Sequence, residues 1–121
     1  MVFTFQGLNV PSSKNNKFWT GKRLIKNQLS INYEKWLLPQ LLEKKEEWDE
    51  ATKNLDYPYE IKFFFYRDSK RRFDYVNIVQ IIADLLQKAG YIEDDSMEYF
   101  IPRFVGYEVV TKEKSGFSMQ I

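Results

Sequence analysis

The sequence predicts a small α+β domain, a mixed sheet with two helices packed on it, in the order β-α-β-α-β-β. Three observations carry this. Short runs alternating apolar and polar residues occur early, midway and late in the chain, with the period of half-buried strands. Two longer segments repeat apolar residues at three- and four-residue steps, as helices on a core do. The 121 residues, 44% hydrophobic and 17% aromatic, suffice for one core and leave no room for a second. Residues 1–121 are read as a single domain, since no repeat, low-complexity tract or Pro/Gly-rich linker divides them.

Val2 to Leu8 is the expected first strand, with Val2, Thr4 and Gln6 on one face and Phe3, Phe5 and Gly7 on the other. Pro11 to Asn27 reads as a polar, basic loop rich in Ser, Asn and Lys. Ser30 is the expected N-cap of a helix in which Tyr33, Trp36, Leu37, Leu41 and Trp48 recur at helical spacing. Pro39 predicts a kink or a break inside it. Pro58 opens a second strand. Tyr59, Ile61, Phe63 and Phe65 fill one face, and Glu60, Lys62, Phe64 and Tyr66 the other. Phe64 and Tyr66 mark that strand as central or covered on both sides.

The second helix runs from about Asp74 to Ala89. Ile78, Val79, Ile82, Leu85, Leu86 and Ala89 form its apolar stripe, beside a mostly polar one of Asp74, Asn77, Ile81, Asp84 and Lys88. Gly90 suits the position just past the helix end. Met97 to Val110 is one or two strands interrupted at Pro102 and Gly106, and Ser115 and Gly116 turn the chain into a last strand.

Composition prunes the chemistry. The chain has no cysteine and no histidine, so disulfide scaffolds, Cys- or His-ligated metals and Ser-His-Asp or Cys-His nucleophile systems are excluded within it. Hydrolysis must use carboxylates, a lysine, a tyrosine or a metal-bound water. No apolar run is long enough to span a membrane, and MVFTFQGLNVP lacks the marks of a secretory signal. A soluble, cytoplasmic protein without membrane contact is expected.

Net charge is only +1, but the charges fall in blocks. Residues 1–32 carry five basic groups and no acid, while 33–60 carry four basic and eight acidic groups. Residues 61–72 hold five basic groups and one acid, and 73–98 one basic group and six acids. Blocks of this kind let a near-neutral chain present a basic face beside an acidic pocket, though each alone also fits ordinary solvated surface.

The richest stretch is Lys70 to Ser96, KRRFDYVNIVQIIADLLQKAGYIEDDS. Lys70, Arg71 and Arg72 lead into Asp74, and a helix and turn then deliver Glu93, Asp94 and Asp95. A helix of that length spans roughly 20 Å, so Asp74 meets Asp94 and Asp95 only under one of two conditions. Residues 91–95 fold back along the helix, or a dimer partner supplies the second set. Carboxylates brought to about 4 Å repel by roughly 4 kcal/mol at an effective dielectric near 20, which protonation or a cation must relieve. With oxygen ligands alone, Mg²⁺ or Mn²⁺ is the natural ion. The plain alternative is a helix cap and a polar turn. Upstream, Lys14, Asn15, Asn16, Lys17, Trp19, Lys22 and Arg23 mix cations, amides and an aromatic, as a phosphate-tracking DNA loop or a solvated loop would. Arg103 either faces DNA or pairs with an acid. Trp36, Trp48, Phe63 and Phe65 are expected in the core and a dimer interface rather than in base stacking.

These residues together resemble the RusA-like Holliday junction resolvases. That family carries an arginine-rich approach, D-x-D-N, a lysine four positions past the second Asp, a helix with D-A-L-x-x-A-G, and a D-D turn before a strand. Arg71-Arg72, Asp74, Asn77, Asp84-Leu85-Leu86, Ala89-Gly90 and Asp94-Asp95 match it, and Val10-Pro11-Ser12-Ser13-Lys14-Asn15-Asn16 is similar to the family's P-x-S-x-N loop. The match covers about residues 2–105. It departs at Val76, where the family has the second Asp, and at Gln80, where it has the lysine.

The resemblance implies a Mg²⁺-dependent (or Mn²⁺-dependent) endodeoxyribonuclease that resolves four-way DNA junctions as a homodimer, of a kind often carried by phages. It implies Asp74 and Asp95 as metal ligands, Asp94 as a replacement ligand and Asn77 as an assisting group. Lys14, Asn15, Asn16, Lys17, Lys22, Arg23, Lys70, Arg71 and Arg72 would contact DNA, the last three also balancing phosphate charge. Two other readings stay open: a relative that binds junctions without cutting them, and a mobile-element interaction domain that does not bind nucleic acid.

Overall fold

In chain order the computed structural model runs β1 (Val2–Gln6), β2 (Lys17–Trp19), β3 (Leu24–Lys26), α1 (Gln28–Glu43), α2 (Lys45–Thr52), β4 (Tyr59–Arg67), α3 (Tyr75–Lys88), β5 (Phe100–Val109), a 3₁₀ turn (Lys112–Lys114) and β6 (Gly116–Gln120). It describes residues 1–12, 17–19, 24–26, 28–70 and 73–121, and of 17–19 and 24–26 the backbone alone. The main sheet is mixed, in the order β1-β6-β4-β5, with β4 parallel to β5 and antiparallel to β6. The α+β class expected from the sequence is the one observed, and β4 is the interior strand its two apolar faces implied.

Register explains where the core sits. Phe3, Met119, Phe63 and Phe104 form one row across the four strands, and Phe5, Phe117, Phe65 and Tyr107 form the next. Leu37 and Leu41 of α1, Trp48 of α2, and Ile78, Ile82 and Leu86 of α3 are buried in the same core as Phe3, Phe5, Phe63, Phe65, Phe117 and Met119, while Phe104 and Tyr107 on the edge strand stay exposed. Each large apolar side chain buried there contributes about 1.5–3 kcal/mol. Among the described residues the opposite face carries no helix row of this kind. Val2, Thr4, Glu60 and Lys62 are exposed on it, Phe64 and Tyr66 half-buried. The hydroxyls of Thr4, Ser118 and Tyr66 form a hydrogen-bonded chain there, at 3.1 and 3.0 Å.

Several local expectations need correction. The polar loop over 11–27 contains the antiparallel pair β2–β3, with Lys17 opposite Lys26 and Trp19 opposite Leu24. Phe18-Trp19 and Leu24-Ile25 are strand-forming residue types, but three-residue strands are too short to show a period. The first helix begins at Gln28, so Ser30 is buried within its first turn and is not its cap. No break occurs at Pro39, which is exposed. The Gln40 side-chain amide donates to the Trp36 carbonyl at 2.8 Å, supporting the turn that proline weakens. The break comes at Lys44 instead, so two helices stand where one was expected.

In α3, Ile81 is buried with the apolar stripe, because the helix is covered on more than one side. Within the segment 97–110 a single strand forms, Phe100–Val109. Its irregularity is a bulge: Phe63 pairs with Phe104 and Phe64 with Gly106, leaving Val105 as the extra residue. Pro102 is tolerated because β5 lies at the sheet edge.

Two glycines are required by backbone shape. Gly90, at φ +80°, ends α3 with its N–H donating to Gln87 O at 3.1 Å while Tyr91 N–H donates to Leu86 O at 2.8 Å. Gly116, at φ +146°, brings β6 against β1 so closely that a Cβ would lie 1.9 Å from the Phe5 carbonyl oxygen.

Candidate metal and nucleic-acid site

The connection β4–α3–β5 places the acids. Because β4 and β5 are parallel, with Tyr59 beside Phe100 and Arg67 beside Val109, α3 must carry the chain back from the C-terminal end of β4 to the N-terminal end of β5. Asp74 therefore sits at one end of the sheet, and Asp94 and Asp95, just before β5, at the other. The fourteen residues of α3 put about 20 Å between the two ends. The fold-back that would join them in one chain does not occur. Tyr91 pins the turn at the far end: its ring stacks on Trp48 at 4.9 Å, its carbonyl accepts Trp48 Nε1–H at 3.0 Å, and its hydroxyl donates to Leu41 O at 2.5 Å. Tyr59 N–H donates to Tyr99 O at 2.9 Å, fixing the same turn against the start of β4.

At the near end, Asp74 is the N-cap residue of α3, with extended φ and ψ, but its side chain makes no capping hydrogen bond. Its carboxylate is exposed and accepts, among the described residues, the Asn77 amide, from Nδ2 to Oδ2 at 3.3 Å. The helix thus presents an acid that its own cap does not use. Val76, on the same first turn, is 70% exposed, and Gln80 is exposed one turn on. These are the two positions where an acid and a lysine were expected, and both open to solvent.

Arg67 is a residue the sequence reading passed over. It ends β4, its guanidinium lies 4.8 Å from the centroid of the Phe73 ring, and its Nη1–H donates to the Val10 carbonyl at 2.8 Å. Burial presses its pKa down, while Asp68 and Tyr33 press it up, and an arginine so placed keeps its charge. It ties the start of the basic segment after Val10 to the end of the sheet that carries Asp74. The only sequence signal was a cation closing the strand directly after the run Phe63 to Tyr66.

At the far end, Glu93 and Asp95 are exposed and Asp94 is half-buried. Tyr57 lies beside them, its hydroxyl pKa raised by burial first and then by Tyr59 and Glu93. Arg103 pairs with Glu60 at 3.3 Å, so of its two expected roles the pairing with an acid is the one seen. Lys70 is exposed. Lys14, Asn15, Asn16, Lys22, Arg23, Arg71 and Arg72, and the side chain of Lys17, lie outside the described residues.

Among the described residues no three acidic, histidine or cysteine side chains gather to hold a metal. Within one chain, then, Asp74, Asp94 and Asp95 do not fit a shared Mg²⁺. A pair at one end and a single acid at the other would each need the other's complement. No described helix is long and apolar enough to cross a membrane. No protein-family model matches the chain, and no curated protein matches it in sequence.

Proposed function

We propose that the protein is a homodimeric, divalent-metal-dependent endonuclease acting on branched DNA such as a four-way junction. The observation that carries this reading is the exposed Asp74 carboxylate, set at a helix N-terminus, turned toward Asn77 and not spent on capping. A residue kept only as a cap would bond the backbone it caps.

The separation of the acids defines the form of the reading. A site that uses Asp74 together with Asp94 and Asp95 must draw them from two copies, because one chain holds them at opposite ends of α3. A two-fold dimer then carries two identical sites, matching a junction that needs cuts on two opposed strands. Bound Mg²⁺ or Mn²⁺ would supply a water acidic enough to attack a phosphodiester at neutral pH. Asp74 of one copy and Asp95 of the other, helped by Asp94, would hold that ion. Asn77 steadies the Asp74 carboxylate, and Lys70, Arg71 and Arg72 offset phosphate charge.

A second reading is favoured by Val76 and Gln80: a dimer that binds junction DNA through phosphates and shape but does not cut it. The test is a nicking assay on a labelled four-way junction and a linear duplex, with Mg²⁺, Mn²⁺ or chelator. The nuclease reading expects paired, metal-dependent cuts at the junction, lowered about 10²–10³-fold by Asp74→Asn. Salt-sensitive junction binding without cleavage in any metal establishes the second reading. Neither binding nor cleavage removes both and leaves an interaction domain.

A further inference from the structure

We propose that the free edge of β5 is the contact between two copies of this chain, paired antiparallel about a two-fold axis between Val105 and Gly106. β5 is ten residues long, and among the described residues β4 is its one strand partner. Such an edge presents unpaired backbone groups, and proteins ordinarily blunt it with charge or cover it. Here it is apolar. Phe104 is 46% exposed, Val105 61%, Tyr107 53% and Val109 46%.

What identifies the occupant as a second copy is that the strand complements itself. An antiparallel pair about that axis sets Arg103 opposite Glu108 of the partner subunit, twice by symmetry, and Phe104 opposite Tyr107 of the partner subunit. Opposed residues share a face, so each pair must lie on one side of the sheet. In a regular strand neither would, because 103 and 108, like 104 and 107, are an odd number of positions apart. The bulge corrects this. Arg103 and Glu108 pair with Lys62 and Tyr66 of β4, which share one face, and Phe104 and Tyr107 pair with Phe63 and Phe65, which share the other. The extra residue therefore makes the edge match its own rotated copy in both charge and aromatic faces. Val105 falls opposite Gly106 of the partner subunit, where no side chain competes for its space.

The same pairing lays the start of one β5, with Asp94 and Asp95 before it, beside the end of the other, where Phe73 packs on Tyr107 at 5.0 Å next to Asp74. That consequence rests on the nuclease reading; the strand pairing does not.

The test is the oligomeric state, by sedimentation equilibrium of the full chain, and its response to charge. The wild type is expected to be a dimer. Arg103→Glu and Glu108→Arg should each weaken the dimer by about tenfold or more, since each sets two like-charged pairs face to face, and the double reversal should restore it. Circular dichroism reports that each variant is folded. Because the chain has no cysteine, Arg103→Cys with Glu108→Cys gives a clean second readout: oxidation should yield a covalent dimer in this register. A monomeric wild type overturns the proposal, as does a dimer that ignores both reversals and forms no crosslink. A β5 dimer that cuts no DNA supports the interface and counts against the nuclease reading alone.

Discussion

Under the nuclease reading, Val76 is the residue on which activity turns. It is apolar, 70% exposed and in the first turn of α3, where an aspartate would meet the favourable end of the helix dipole. Gln80 faces solvent on the next turn. Neither side chain is buried in the core, so Val76→Asp with Gln80→Lys should leave the unfolding free energy from a denaturant melt within about 0.5 kcal/mol of wild type. The same pair should raise the nicking rate at limiting Mg²⁺ by about tenfold or more, as a third acid and a lysine join Asp74. Unchanged nicking at unchanged stability would mean that the first turn of α3 is not part of the metal site. Asp74 was legible from the sequence, because a polar residue ahead of a clean apolar stripe can only be a helix start. That its carboxylate would not cap was not legible, since capping depends on side-chain rotamers that spacing does not encode. Arg67 was missed for a related reason: what singles it out is its bond to Val10, fifty-seven positions away in sequence.

Among the elements, α2 does the least obvious work. Its Trp48 is buried against Phe3, Tyr59 and Tyr91 and donates to the Tyr91 carbonyl, so a short helix early in the chain fixes the acidic turn late in it. Trp48→Phe keeps a ring on Tyr91 but leaves that carbonyl without its buried donor, and should cost about 1–3 kcal/mol in a urea melt. Under the nuclease reading it should also lower metal affinity without touching an acid, a pairing of effects that loss of packing elsewhere would not give. β4 and α3 were readable because their periods run unbroken for nine and fourteen residues. The division of α1 from α2 was misplaced because proline announces a break chemically and Lys44 does not. The β2–β3 pair escaped because nothing in three residues distinguishes a strand from a loop. The bulge in β5 showed in sequence only as an interruption at Gly106, and its effect on the faces of the strand appears only in register with β4.

For the whole molecule, burial of tyrosine sets the alkaline limit of stability. Burial raises the hydroxyl pKa values of Tyr33 and Tyr91 and pushes Tyr75 up to about 12. The unfolded chain gives up these protons near pH 10 and the folded one only above it, so the folded form binds more protons in that window. Stability should therefore be level below about pH 10 and fall as pH rises through the folded values. Tyrosinate absorbance and circular dichroism followed together should show a late group of phenols ionising only as the fold is lost. Early ionisation of all eight tyrosines with the fold intact would contradict this. The sequence forecast a single α+β sheet well because one apolar face per element leaves few ways to pack. It could pose the distance between Asp74 and Asp95 from helix length, but it carries no record of symmetry, and under the nuclease reading the answer depends on a second copy.

The most direct test of that answer mixes two inactive proteins. Asp74→Asn and Asp95→Asn, each unable to nick a four-way junction alone, are combined, allowed to exchange subunits and assayed with Mg²⁺. If each site takes Asp74 from one copy and Asp95 from the other, a mixed dimer holds one intact site. Single nicks should then return at about a quarter of wild-type activity, since half the dimers are mixed and each carries one of two sites. Exchange without any recovery, in a preparation whose wild type cuts, would place both acids in one site on one chain and contradict the account.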